Sequence, residues 1–311
     1  MIVLTDSVAF AENLLGGPAN WKKVDYFPQN PPLRTLAERL FPSGSLFSAK
    51  IRSDQYWQYC FYVEQAAESQ FDLLAEPSLE SRNLPHGILC CAGSGTGFHG
   101  QNNRPWITLP GNVHLTTFFR PQRKLANCGI AFTVLGVVSV LQVIDELGIS
   151  GAQVKWVNDI LIGRAKIGGV LVNIKTEGES VSAALLGIGL NVEKTPKVEP
   201  DPFVPKVGSL RDFSDNSLLC TQSEVLRRLA AMLTTNYRRL MTGQLTELLN
   251  VYRKRSVIQG NTVTIYEDQD DTIRKEMGSG RVLSIGDNLE LTLEGVESPV
   301  WRGRLVLGRP E

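Results

Sequence analysis

The chain has 311 residues, enough for a sizeable core and a smaller appended domain. Apolar residues make up 42% and charged residues 21%, and 32 basic residues offset 32 acidic ones, so the composition carries no electrostatic footprint for nucleic acid or a membrane surface. The five cysteines, Cys60, Cys90, Cys91, Cys128 and Cys220, are odd in number and lack metal-ligand spacing, which points to core-filling thiols in a reducing compartment.

The opening MIVLTDSVAFAENLLGG carries an early acid and no basic region ahead of its apolar part, unlike a signal peptide, and a cytoplasmic protein is expected. Residues 1–58 are rich in Pro, Asn and Gly (PQNPP, FPSGS) with one helix-like run, Leu33 to Leu40, and read as an extension packed on the main domain. A DNA-binding helix-turn-helix needs consecutive amphipathic helices and a basic face; neither is visible, so no DNA partner is expected.

From Tyr59 onward helices and strands alternate. A helix is expected at Ser69 to Leu74, an apolar strand at HGILCCAG and an alternating strand at NVHLTTFF. Leu125 to Ile144 is uncharged and roughly as long as a bilayer crossing. It holds Asn127, Thr133, Ser139 and Gln142 and has no partner span, so it reads as a buried core helix, with no membrane partner. Strand QVKWV follows, then KIGGVLVNI and SAALLGIGLNV as paired strands, a pattern of an α/β domain with a mixed or antiparallel sheet. Thr221 and Glu224 have capping-box spacing ahead of an amphipathic helix that stops near Gly243, and a short helix, Leu245 to Arg253, closes the main domain at about residue 254. In 255–311 the segments NTVTIYED, GRVLSIGDNLELTLEG and VWRGRLVL alternate around glycine turns, as in a small β-barrel.

Three constellations bear on chemistry. In KWVNDILIGRAKIGGVLV, Asn158-Asp159 read alone is a turn, Lys166 a strand-end charge and Gly168-Gly169 a bulge. Read functionally, a flat ligand or phosphate lies against the Gly-Gly backbone, with Lys166 beside it and Asp159 near a metal or amine. GSGTGFHGQNNRPW is either a flexible loop or a ligand loop, without the ending or context of a phosphate-binding fingerprint. In LLGIGLNV, Gly187 and Gly189 either belong to a core strand or leave one strand face open, with Asn191 at its end.

Together, in order and spacing, these runs resemble the catalytic domain of biotin protein ligases, which are related to lipoate-protein ligases. The family's K-W-P-N-D is matched by Lys155 to Asp159, its K-[IL]-[AG]-G-[IV]-L-V by Lys166 to Val172 and its G-x-G-[IL]-N by Gly187 to Asn191. The resemblance implies an α+β fold with a mixed α/β sheet, a biotin/lipoate-ligase-like catalytic domain over 59–254 and an SH3-like β-barrel over 255–311. It implies a ligase that uses ATP and Mg²⁺ to activate biotin or a related carboxylic acid as an acyl-adenylate, then acylates a lysine of a biotin carboxyl carrier-type protein; a monomer or homodimer is expected. Lys166 and Asp159 take the catalytic roles, with Asp159 also a Mg²⁺ ligand. Ser69, Gln70, His99, Gly100, Gln101, Trp106, Gly168, Gly169, Gly187 and Gly189 surround the acid, and Arg104, Asn158 and Asn191 serve the nucleotide.

Departures concentrate in the ligand loop. The family's Q-T-A-G-R-G-R-x-x-R-x-W falls on Gly95 to Trp106, with both core arginines replaced, by His99 and Gln101, and the biotin-reading glutamine by Gly95. Its S-T-N is matched by Glu68-Ser69-Gln70. Two lost charge-assisted hydrogen bonds are worth about 3 to 6 kcal/mol of phosphate binding. A catalytically weak member that binds a small acid or nucleotide as a sensor module is therefore the alternative reading.

Overall fold

Side chains that alternate along two neighbouring strands divide the core into two layers. In the computed structural model, which describes residues 1–24, 30–42, 45–52, 56–76, 84–268 and 275–308, strand β4 (Tyr59–Ala66) sends Cys60 and Tyr62 to one face and Phe61 and Val63 to the other. Strand β5 (Ile88–Gly95) does the same with Leu89 and Cys91 against Ile88, Cys90 and Ala92. A sheet apolar on both faces must be covered on both, and helices do so.

On the first face lie α1 (Val8–Leu15), α4 (Cys128–Glu146) and α5 (Gln222–Met241). On the second lie α2 (Pro31–Leu40) and α3 (Gln70–Ala75). Helix α4 is the one described helix long and apolar enough to cross a bilayer, but it packs into the centre of the core against α5 and the sheet. The buried Asn236 of α5 donates to Ser139 Oγ (2.9 Å) and Gln142 Oε1 (2.8 Å), so these two polar residues of α4 find a partner on a neighbouring helix. Thr221 caps α5 by accepting from the Glu224 amide; the Glu224 carboxylate turns to Arg227 and Arg228 instead of completing the capping box. The cysteines are free, as their spacing suggested, and burial pushes the Cys60 and Cys91 thiols up to about 12.

The remaining strands are β1 (Ile2–Thr5), β2 (Lys22–Lys23), β3 (Phe47–Lys50), β6 (Val113–Phe119), β7 (Arg123–Lys124), β8 (Ala152–Lys155), β9 (Asp159–Ile162), β10 (Ala165–Glu177) and β11 (Ser180–Leu190). The described residues form an eleven-stranded mixed sheet in the order β2-β3-β1-β4-β5-β6-β11-β10-β9-β8, with β7 beside β11. The expectation of an N-terminal overlay needs correction: β1 is hydrogen-bonded inside the sheet, parallel to β4 and antiparallel to β3. Parts of the PQNPP and FPSGS runs lie outside the described residues.

Helix α6 (Leu245–Lys254) leads to a second, antiparallel sheet of β12 (Thr262–Tyr266), β13 (Glu276–Ile285), β14 (Leu291–Leu293) and β15 (Arg304–Leu307), ordered β14-β13-β12-β15 and compatible with an SH3-like barrel. Val263, Ile265 and Val282 join the core of the first sheet, and Trp156 Nε1 donates to the Leu289 carbonyl at 2.7 Å.

Candidate active site

The site starts from a register slip. Strands β8 and β9 set Lys155 opposite Asp159, and β9 and β10 set Asp159 opposite Gly169 and Leu161 opposite Lys166. Between Lys166 and Gly168 the pairing shifts, so Ile167 is an extra residue in β10. Regular alternation would put residues 166 and 169 on opposite faces; the bulge returns them to one. A Cβ on Gly169 would stand 3.9 Å from Lys166 Cε and 3.7 Å from Asp159 Oδ1, so glycine keeps the space beside both side chains open. Lys166 Nζ meets Asp159 Oδ1 at 2.6 Å, each side chain about a quarter exposed (23% and 22%). The pair lines a cavity of about 510 Å³.

Asn158 sits in the turn between β8 and β9, where its amide donates to the Val170 carbonyl at 2.6 Å and its own carbonyl accepts from Val170 N. The turn reading of Asn158 is realised, and the same amide closes the turn that aims the Asp159 carboxylate at Lys166. Tyr252 Oη, from α6, donates to the Val157 carbonyl at 2.8 Å and fixes the turn from behind.

Gly187 and Gly189 need a different account from the open strand face. A Cβ on Gly189 would fall 2.5 Å from Trp106 Cε2, and one on Gly187 3.0 Å from Phe71. The glycines admit two aromatic side chains against β11, and the aromatics present the surface to the cavity. Trp106 Nε1 donates to His114 Nδ1 (3.4 Å), while His114 Nε2 donates to the Leu109 carbonyl (3.3 Å); burial pulls His114 down to about 4, so it is neutral and serves as a spacer. Gly168 faces away, its Cβ direction blocked by Gly189 O at 2.7 Å, and lies off the cavity wall.

The ligand loop is pinned at two points. His99 Nε2 lies 2.9 and 3.1 Å from the two carboxylate oxygens of Asp72 on α3, and Nδ1 lies 2.8 Å from the Gly100 carbonyl. Both partners accept, so both ring nitrogens donate and the ring is an imidazolium. Burial lowers its pKa, but the bonds to Gly100 and Asp72 outweigh that and leave it raised. Arg104 Nη1 reaches Asp268 Oδ1, beyond β12, at 2.8 Å. His99 is therefore a charge and not a neutral substitute, and both cations are held by protein carboxylates.

Of the other expected acid-binding residues, Ser69, Gly100 and Gln101 line the cavity. Ser69 Oγ also caps α3, accepting from Asp72 N. Gln101 is exposed, in a single 3₁₀ turn. Gln70 is fully buried off the cavity, with neither amide atom partnered among the described residues. Asn191 borders the cavity but is 1% exposed, and its Nδ2 donates to the Gly208 carbonyl while its backbone N donates to Ile167 O at 2.7 Å. It anchors the bulge that presents Lys166. Behind it Asn112, which sequence reasoning did not single out, accepts at Oδ1 from the amides of Val192, Glu193 and Lys194.

The match to a family model follows this architecture: the biotin/lipoate A/B protein ligase family, over residues 64–191. The chain resembles that family over this stretch. It is 30% identical over 210 residues to the bifunctional ligase/repressor BirA of Bacillus subtilis, covering 66% of this chain and 63% of that protein, so it spans just under two thirds of that relative. To the biotin--[acetyl-CoA-carboxylase] ligase of Paracoccus denitrificans it is 32% identical over 114 residues, 34% of this chain and 46% of that one. The fold matches that of the Aquifex aeolicus biotin protein ligase in complex with biotin and ATP, with TM-score 0.61 and 15% identity over 82% of this chain and all of that one. A biotin protein ligase-like protein of unknown function from Silicibacter shares it at TM-score 0.53 and 15% identity, over 76% and 91% of the two chains.

The second sheet completes the cavity: Gly303, Arg304 and Leu305 line it. The Arg304 guanidinium lies 3.7 Å from the centroid of the Phe203 ring, and Nη2 lies 3.6 Å from Asp201. Neither the 196–207 segment nor this strand carried a periodic signal toward the site. Among the described residues no cluster of three or more His, Cys, Asp or Glu is placed to hold a metal ion by itself.

Proposed function

We propose that the protein is an ATP-dependent ligase that activates biotin, or a related carboxylic acid, as an acyl-adenylate and transfers the acyl group to a lysine of a carrier protein. The observation that carries this reading is the Lys166–Asp159 pair beside Gly169 on the wall of a ligand-sized cavity. In the first step an oxygen of the acid bonds to the α-phosphorus of ATP and pyrophosphate leaves. In the second the neutral amine of an acceptor lysine bonds to the acyl carbon, AMP leaves and the amine's proton passes to solvent. The first step brings anions together, and the Lys166 ammonium is positioned to offset that charge as it redistributes.

Mg²⁺ bound with the nucleotide would supply further neutralisation, and Asp159 is the carboxylate of the pair that would hold it; one carboxylate with several phosphate oxygens is a usual Mg²⁺ donor set. The Aquifex structure, with biotin and ATP, and the Paracoccus relative, named for acetyl-CoA carboxylase, support biotin as the acid and a biotin carrier domain as the acceptor. A binding module is favoured by a different observation, the commitment of His99 and Arg104 to Asp72 and Asp268.

Pyrophosphate release with ATP, Mg²⁺ and biotin separates the two. The wild-type protein is expected to release it only with the acid present, and Lys166→Ala to lose at least about nine tenths of the rate, or ~1.4 kcal/mol, while keeping its circular dichroism. Calorimetric binding of biotin without any release gives the binding module; a Lys166→Ala enzyme above a tenth of wild type removes Lys166 from the centre of the chemistry.

A further inference from the structure

Lys155 ends β8, is 6% exposed, and lines the cavity on the side where the 201–204 segment and β15 close it. Its Nζ donates to the Phe203 carbonyl at 2.6 Å, the one hydrogen bond the structure gives its side chain among the described residues. An ammonium carries three N–H donors. Burying one against a single neutral oxygen is unfavourable unless further acceptors arrive.

The charged groups acting on Lys155 come from every neighbouring element: Asp159 on β9, Lys166 on β10, Asp201 in the loop and Arg304 on β15. Asp159 is already in contact with Lys166, and Asp201 lies near Arg304. Among the groups that act on Lys155, three cations counting Lys155 itself thus share two carboxylates, the exposed Glu199 being the other acid on the cavity wall. Burial first, with Lys166 and Arg304 adding to it, pulls Lys155 down to about 8 against the opposing pull of Asp159 and Asp201. Trp106 and Phe71 pack on β11 at Gly189 and Gly187, whereas Lys155 reaches the Phe203 carbonyl.

We propose that Lys155 is a second cation of the nucleotide site, binding the phosphate chain of a nucleoside triphosphate where it extends past Lys166 toward Phe203. This rests on the acyl-adenylate reading. An acid seated on Trp106 and Phe71 with its carboxylate at Lys166 leaves the Lys155 side of the cavity for an anion that follows it. A phosphate oxygen there supplies the acceptors that the ammonium lacks. The competing role is a peg that secures the Phe203 loop, and a peg has no preference among ligands.

Titration calorimetry with ATP, with inorganic pyrophosphate and with biotin distinguishes these roles, using the full chain as wild type, Lys155→Met and Lys155→Arg. Lys155→Met is expected to weaken ATP and pyrophosphate binding at least tenfold and leave biotin binding within twofold; Lys155→Arg, which keeps the charge, is expected to stay within about threefold of wild type for all three. Unchanged ATP affinity in Lys155→Met overturns the proposal, as does an equal loss for ATP and biotin. Failure of the wild-type protein to bind pyrophosphate at millimolar concentration also overturns it, whether or not the variants fold. The ligase reading fails on a different result: ATP and biotin both bind, with Lys155 behaving as proposed, and no acid-dependent pyrophosphate is released.

Discussion

Replacing Asn112 by alanine removes a buried oxygen on which three backbone amides converge. Asn112 is 0% exposed, and its Oδ1 accepts from Val192 N at 3.0 Å, Glu193 N at 3.1 Å and Lys194 N at 3.0 Å, while its Nδ2 donates to the Lys194 carbonyl at 2.8 Å. Val192 is buried, so its amide loses its partner where water does not reach, at a cost of about 1 to 3 kcal/mol. Glu193 and Lys194 are more accessible and recover part of their loss from solvent, which leaves about 0.5 to 1.5 kcal/mol each. The expected total is about 2 to 6 kcal/mol, a large fraction of a usual folding free energy. Because the same turn follows Asn191, whose amide holds Ile167, the bulge that presents Lys166 should loosen as well. Urea denaturation followed by circular dichroism measures the first effect, with stability read from the midpoint at an unchanged slope. Acid-dependent pyrophosphate release measures the second. A loss of stability below about 1 kcal/mol would refute the reasoning, because a single unsatisfied buried amide already reaches that value.

Two further outcomes are expected. In Gly189→Ala the new methyl group meets Trp106 at 2.5 Å, so the indole is displaced from His114 at a cost of about 1 to 3 kcal/mol; acid binding by calorimetry should fall together with a changed tryptophan emission, and unchanged binding would dissociate Trp106 from the acid site. His99 should titrate above its ordinary value near 6.5, with the hydrogen bonds to Gly100 and Asp72 overcoming burial. A raised folded-state value means that its contribution is fully present below the ordinary histidine range and is lost as pH rises through the folded value. Proton NMR should show Asp72→Asn moving the titration down; no movement would mean that the ion pair does not hold the loop.

How much of this was legible in the sequence varies with distance along the chain. Strands β10 and β11 pair with each other as neighbours in sequence, and their glycine pattern marked part of the cavity wall. Strand β1 has four residues and its parallel partner β4 begins more than fifty residues later, so no local periodicity announces that the N-terminal segment belongs inside the sheet. Strand β9, also four residues, was hidden in the polar turn that precedes it. The pinned loop fails for the same reason: His99 and Arg104 take their meaning from Asp72 and Asp268, 27 and 164 positions away. Gly187 and Gly189 were identified by position but not by occupant, because a glycine announces space without saying what fills it.

That Gly303 to Leu305 line the cavity has a consequence for the protein during its own synthesis. Every residue of the Lys155 to Asn191 motifs leaves the ribosome roughly a hundred residues before the strand that completes their surroundings, an interval on the order of ten seconds at usual elongation rates. For that time a nascent chain carries Lys166 and Asp159 without the enclosure that β15 supplies, and a nucleotide meeting it finds an open groove in water, where the same charges attract phosphate far more weakly.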